Sequence, residues 1–267
     1  MVKAKTTNTK SDETKPDVKK ITNLKTKNIG IQTTVEKDFD VRLTYFLIGV
    51  CLLVAVFQTG IYYFEGIESV SVLFNTYGFS VDGFMNGQWW TPLTSIFFHG
   101  SPDHLIFNMI ALFFFGRATE EKLGWKKMLM IFFAAGVIGD LFMTGGAFMG
   151  VVPMAIPTIG ASAAVFGLIG VSMIVDPIEM VLYPFLIPIP LILIAIVYSL
   201  YNLVGVIEIF FGGVTNVAYL AHLGGLAAGG VFGFHEAGFR RAITMMAVII
   251  LIVLFVPVVL ELLNSII

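Results

Sequence analysis

Apolar residues in this chain come in long runs rather than in the half-buried stripes of a water-soluble fold. A hydrocarbon core of about 30 Å takes roughly 20 apolar residues as a helix. Seven segments meet or approach that length: 43–63, 104–117, 126–145, 161–176, 186–211, 217–236 and 241–265. The second and fourth are short, which predicts helices that begin beneath the membrane surface and are supported there by surrounding protein. The expected fold class is an all-α polytopic membrane protein with seven transmembrane helices. Residues 1–40 break the pattern, being rich in Lys, Thr, Asn and Asp with almost no aromatic residue to bury, and they read as a disordered basic tail. No small-residue cleavage site follows the first apolar run, so this stretch does not read as a signal peptide.

The connection from Glu65 to Asp103 is too rich in Phe, Trp, Val and Leu to be simply solvated, and Gly78, Gly83 and Gly87 interrupt it too often for a spanning helix. Trp89 and Trp90 suit the headgroup level. An interfacial structure lying partly in the outer leaflet is expected there.

Composition narrows the class further. Of 267 residues 57% are hydrophobic and 13% charged, against about a quarter charged in soluble domains, which excludes a water-soluble globular enzyme. The single cysteine, Cys51, supplies neither an intrachain disulfide nor a thiolate cluster. The net charge of −2 hides an asymmetry, because ten of the sixteen Lys and Arg residues lie within the first 42 positions. The others are Arg117, Lys122, Lys126, Lys127, Arg240 and Arg241. With the tail in the cytoplasm all sixteen fall on the inner side, and reversing the topology would put all of them outside. The positive-inside rule therefore gives a cytoplasmic N-terminus and an extracytoplasmic C-terminus in the cell membrane.

Polar side chains inside spanning segments are costly and mark functional sites. His104 and Asn108 open segment two, Ser162 opens segment four, and His222 lies early in segment six. These three segments run in the same direction, so the four residues are expected at similar depth in the outer half of the bilayer. His104 and Asn108, four apart, share one helix face. Ser162 falls in a first helical turn, where free backbone N–H groups and the helix dipole suit a developing oxyanion; an N-cap serine is the plainer reading of that position alone. Gly225, Gly229 and Gly233 follow His222, while Ala163, Gly167 and Gly170 follow Ser162. Such stripes of small residues let two helices pack in near backbone contact, which would bring the serine within reach of the histidine. Asp140 and Glu208 are expected to snorkel from helix ends. No His-Glu-x-x-His helix is present, and neither a metal nor another cofactor is expected.

At these residues the chain resembles the rhomboid intramembrane serine proteases. The resemblance covers about residues 41–236 and is carried by an ordered set of motifs. These are Trp89-Trp90-Thr91, Thr94-Ser95-Ile96-Phe97-Phe98-His99, His104-x-x-x-Asn108, Gly116-Arg117 with Glu120 and Leu123-Gly124, Gly160-Ala161-Ser162-Ala163, and Ala221-His222-x-x-Gly225-x-x-x-Gly229. It implies a six-helix catalytic core over 41–237, with 238–267 as an additional C-terminal helix. Ser162 would be the nucleophile and His222 the general base, a dyad without a third acidic member. His104 and Asn108 would stabilise the oxyanion with the Ser162 backbone N–H. His99 would order the first loop, and Glu120 and Arg117 would tie the loop after segment two.

The implied activity is hydrolysis of a peptide bond near the outer end of transmembrane substrates, without cofactor. The partners would be those substrates and the lipid bilayer, with no nucleic acid. Three positions depart from the family pattern. Ala163 replaces a glycine and adds a methyl close to the oxyanion region, Phe166 replaces a polar aromatic, and Trp90 stands where an arginine is frequent. The alternatives are a non-catalytic rhomboid-like protein that binds and escorts membrane proteins, which usually lacks the Ser or the His, and a transporter, which would want polar groups continuing to the inner half of the bundle.

Overall fold

The computed structural model describes residues 41–183, 187–213, 215 and 217–251. The expected tail over 1–40 and the distal part of the seventh segment lie outside the described residues. Among the described residues three helices are long and apolar enough to span a membrane unaided: α1 (Arg42–Glu65), α7 (Trp125–Phe148) and α9 (Leu191–Phe210). Between α1 and α7 the chain forms α2 (Ile67–Tyr77), α3 (Val81–Met85), α4 (Thr91–Thr94) and a 3-10 turn at Ser95–Phe97. Then come α5 (Pro102–Ala111) and α6 (Arg117–Leu123), joined by the π-helical turn Leu112–Gly116. The other bundle helices are α8 (Ser162–Val175) and α10 (Tyr219–Ala237). Residues 239–251 are helical, the described part of the seventh segment.

Burial sorts these helices into inner and outer ones. α8 is apolar and buried on all sides, with Leu168, Ile169 and Val171 fully enclosed, as a central helix should be. At 14 residues it is about 20 Å long, too short to span alone. α1 instead buries Thr44, Leu47, Cys51 and Gln58 along one stripe and turns Phe46, Leu53, Val56, Phe57 and Tyr63 outward. So many exposed apolar side chains fit a lipid solvent.

Two segment boundaries differ from expectation. The second segment, read as 104–117, is one helical run over 102–123, because its inner end turns polar while the helix continues. The fifth, read from 186, begins as a helix at Leu191; before it Met180–Tyr183 and Ile187–Pro190 form an antiparallel hairpin with Met180 opposite Pro190. Pro188 and Pro190 lack the N–H groups a helix would use there. This hairpin is an addition to an otherwise helical fold.

The connection from Glu65 to Asp103 is a layer of short helices. α2 stops at Gly78, and Gly87 takes a φ of +100° that favours glycine. The layer exposes Ile67, Val72, Phe84, Met85 and Trp89, while the Trp90 indole N–H donates to the Thr76 carbonyl at 2.9 Å. Gln58 of α1 ties down the end of this layer: its amide donates to the His99 carbonyl at 2.9 Å and accepts from the His99 N–H at 3.2 Å.

The opposite end of the bundle gathers the remaining basic residues. Lys122 pairs with Asp176 at 3.0 Å, Lys127 with Glu236, Arg117 with Glu121, and Arg241 donates to the Val175 carbonyl at 2.8 Å. Glu120 has a different task from the one the resemblance implies. Val41 at the N-cap of α1 has no side-chain acceptor, so the first N–H groups of that helix need one from elsewhere. The buried Glu120 carboxylate supplies it, accepting from Leu43 N–H at 2.9 Å, Thr44 N–H at 2.8 Å and Thr44 Oγ1 at 2.6 Å. An anion at this end also complements the helix dipole. Glu120 therefore ties segment two to α1, and Arg117 pairs within its own helix.

Glycines set the spacing of the inner helices. A Cβ at Gly225 would collide with the Ala163 carbonyl, and one at Gly229 with the Gly167 carbonyl. A Cβ at Gly139 of α7 would stand 2.8 Å from the Ala221 carbonyl and 2.7 Å from the Ala163 Cβ. α8 and α10 thus touch backbone to backbone, with α7 lying against both.

Two stability predictions follow from these contacts. Glu120→Ala leaves the buried Thr44 N–H and the partly buried Leu43 N–H unpaired and lowers the unfolding free energy by about 2 kcal/mol or more, read from reversible unfolding in detergent; a change within about 0.5 kcal/mol contradicts the capping role. Gly229→Ala forces α10 away from α8 and costs about 1–3 kcal/mol. Gly230→Ala, where an added Cβ meets nothing within 4 Å, serves as its control and loses nothing. Equal melting temperatures for the two variants would refute the close-contact account.

Candidate active site

Ser162 is the first residue of α8, and the chain approaching it is clamped from the outer layer. Phe79 and Thr158 form a bridge through two backbone bonds, Phe79 N–H to Thr158 O at 2.9 Å and Thr158 N–H to Phe79 O at 2.7 Å. Asp82 N–H donates to the Met154 carbonyl at 3.1 Å, and Gly160 N–H to the Ser95 carbonyl at 2.9 Å. Gly160 itself has a φ of +124°, and a Cβ there would stand 2.6 Å from the His104 ring. Only glycine allows both the turn into α8 and the close seat of His104.

His104 and Asn108 are presented by α5. The Ser101 hydroxyl caps that helix, accepting from the His104 N–H at 3.2 Å, and Pro102 fits the first helical position. Asn108 is buried and donates one amide N–H to the His104 carbonyl at 2.8 Å. The other N–H of that amide remains for a further acceptor. The His99 and His104 rings meet edge to face with centroids 5.2 Å apart. His99 Nδ1 lies 3.2 Å from the Phe97 carbonyl. Burial pushes the His99 imidazole down to about 4, and the neighbouring His104 acts in the same direction against the Phe97 carbonyl. His99 is therefore neutral at pH 7 and donates from Nδ1.

His222 lies one turn into α10. Its Nε2 is 2.7 Å from Ser162 Oγ across the glycine seam, at a full hydrogen bond's distance. The Phe166 ring, one turn along α8 from the serine, stacks on the imidazole with centroids 4.5 Å apart and planes 12° from parallel. Tyr219 meets the same ring edge to face at 6.2 Å. The structure thus brings Ser162 and His222 into direct contact and sets His104 beside the residue that precedes Ala161.

The Ala163 methyl packs in the helix seam: the residue is buried, and the missing Cβ at Gly139 of α7 makes room for it. Asp140 is likewise buried rather than snorkelling.

One residue of this cluster escapes the sequence reading. Asn202 of α9, 1% exposed, places Oδ1 at 2.9 Å from His222 Nδ1 and donates from Nδ2 to the Tyr219 carbonyl at 3.2 Å. The signal was available: it is a strongly polar side chain within a run of Leu, Ile and Val. Because α9 runs opposite to the helices that carry His104, Ser162 and His222, position along the segment does not by itself match Asn202 to their depth.

The sequence model of the Rhomboid domain matches residues 86–239. The chain is 32% identical to the rhomboid protease GluP of Bacillus subtilis over 157 residues, covering 58% of this chain and 27% of that protein. It is 30% identical to the rhomboid protease AarA of Providencia stuartii over 175 residues, 61% of this chain and 60% of that one. It is also 35% identical over 85 residues to the Inactive RHOMBOID-like protein 8 of Arabidopsis thaliana, 32% of this chain and 22% of that one. The matches span about a fifth to three fifths of these relatives' own lengths. With more than half of its length matched by the domain, on a helical fold with several membrane-spanning segments, the chain belongs to the rhomboid family.

Proposed function

We propose that the protein is an intramembrane serine protease that uses Ser162 as nucleophile and His222 as general base. The observation that carries this reading is the 2.7 Å contact between Ser162 Oγ and His222 Nε2, made between two helices inside an apolar bundle. A family that includes a relative named inactive does not decide catalysis by membership alone; an intact nucleophile and base in contact support it.

The chemistry is acyl transfer. Nε2 takes the serine proton as Oγ attacks the peptide carbonyl carbon. The carbonyl electrons move to oxygen, and the helix-start N–H of Ser162, the free N–H of Asn108 and His104 surround that oxyanion. Collapse of the intermediate expels the amine, which leaves with the proton from Nε2. Water then attacks the ester, giving its proton to His222, and release of the carboxylic acid returns the proton to Ser162.

Helix geometry supports a site in the outer half of the bilayer: the 14 residues of α8 are about 20 Å long, which in a core of about 30 Å would leave Ser162 about 10 Å below the face opposite the basic end. With the basic end in the cytoplasm, the site opens toward the outer leaflet, where water can reach it. A substrate helix hides its carbonyls in hydrogen bonds and must unwind to be cut. The substrates are therefore transmembrane proteins with small or helix-breaking residues near their outer ends.

Co-reconstitution with a model single-span substrate tests the reading. Ser162→Ala abolishes cleavage while the variant keeps the wild-type melting temperature and still co-purifies with the substrate. Cleavage that persists in Ser162→Ala would refute the assignment. A folded wild type that binds such substrates and cuts none would favour the escort reading.

A further inference from the structure

The buried amide of Asn202 uses both of its ends, and their chemistry fixes a direction. The Tyr219 carbonyl can only accept, so the group 3.2 Å from it must be the amide NH2. The amide oxygen then faces His222 Nδ1 at 2.9 Å. That oxygen can only accept as well, so Nδ1 must carry the hydrogen. A neutral imidazole has one N–H, which leaves Nε2 with its bare lone pair toward Ser162 Oγ, 2.7 Å away. The serine O–H donates to Nε2, Nδ1–H donates to Asn202, and the Asn202 NH2 donates to Tyr219, all in one sense. The opposite tautomer would set two acceptors face to face in a buried site, leaving both without a hydrogen.

The backbone around Asn202 is built to hold this arrangement. One turn further along α9, a Cβ on Gly205 would collide with the Tyr219 ring, so α9 lies directly on the residue whose carbonyl Asn202 holds. The Tyr201 and Tyr219 hydroxyls meet at 3.1 Å. With Phe166 stacked on the imidazole face, the ring plane is fixed from the side and its tautomer from Nδ1.

The geometry points to Asn202 as a positioning residue of the serine hydrolysis, the third member of a Ser162–His222–Asn202 array. The inference rests on the proposed nucleophile and base and adds what orients the base. Asn202 holds His222 in the one tautomer that can accept the serine proton, and its carbonyl dipole meets the positive charge that develops on the imidazole. A neutral amide does this without a buried carboxylate in an apolar bundle, where an unpaired charge is costly.

Nitrogen NMR of protein carrying 15N-labelled histidine, in detergent, reads the tautomer directly, and His222→Ala identifies its signals among the four histidines. The wild type is expected to carry the hydrogen on Nδ1; a hydrogen on Nε2 overturns the inference whatever the activity. Cleavage kinetics give the second test. Asn202→Leu, which keeps the volume and loses the acceptor, lowers kcat by about 10²-fold with KM little changed, and Asn202→Asp, which keeps the acceptor for Nδ1 but loses the donor to Tyr219, recovers part of it. Wild-type kcat in Asn202→Leu overturns the inference. If the leucine variant does not fold, the aspartate variant's kcat and the wild-type spectrum decide; if neither folds, the spectrum decides. Failure here is distinct from failure of the serine reading: Ser162→Ala stays inactive while Asn202→Leu turns over normally.

Discussion

The backbone contact between α8 and α10 is the constraint on which the rest depends. Two helices carrying ordinary side chains lie about 8–10 Å apart, the space between them filled by those side chains. Gly225 and Gly229 against the carbonyls of Ala163 and Gly167 remove that spacing. Once the axes are this close, Ser162 and His222 reach each other with short side chains, and the rotamer freedom to be lost is small. In lipid, where tails are as apolar as leucine, such close packing is also what holds helices together. The seam that stabilises the bundle and the seam that aligns the two polar residues are therefore one feature.

The same economy runs through the division between inner and outer helices. α1, α7 and α9 are long and apolar and can cross a bilayer on their own, whereas α8 is short and enclosed by protein. A helix that starts below the membrane surface leaves its first N–H groups inside the bundle. At α8 they gather around Ser162, close to the His104 ring; at α1 the equivalent groups are closed off by the Glu120 carboxylate. One helix start is closed by a carboxylate from another helix, and the other stands at the proposed nucleophile.

Much of this was legible in the sequence because polar residues are so few in the spanning segments that each one is conspicuous. Ser162, His222, His104 and Asn108 stand out by depth and direction. What was not legible depended on contacts between segments running in opposite senses. Asn202 lies 11 steps above Leu191, about 17 Å up α9, nearly the height of Ser162. That equality appears only when antiparallel helices are measured from the same end. The partner of Glu120 was missed because an uncapped helix start some 76 residues earlier in the chain leaves no local pattern beside the carboxylate. The hairpin before α9 followed from Pro188 and Pro190, whose effect was hidden by the hydrophobicity of the residues around them.

The central claim is that Ser162 is made nucleophilic by His222, and labelling with a serine-directed fluorophosphonate measures that most directly. The account predicts a single adduct on Ser162 in the wild type, lost in Ser162→Ala and lost in His222→Ala although the serine is still present. Equal labelling of wild type and His222→Ala, or an adduct on a different serine, would contradict it.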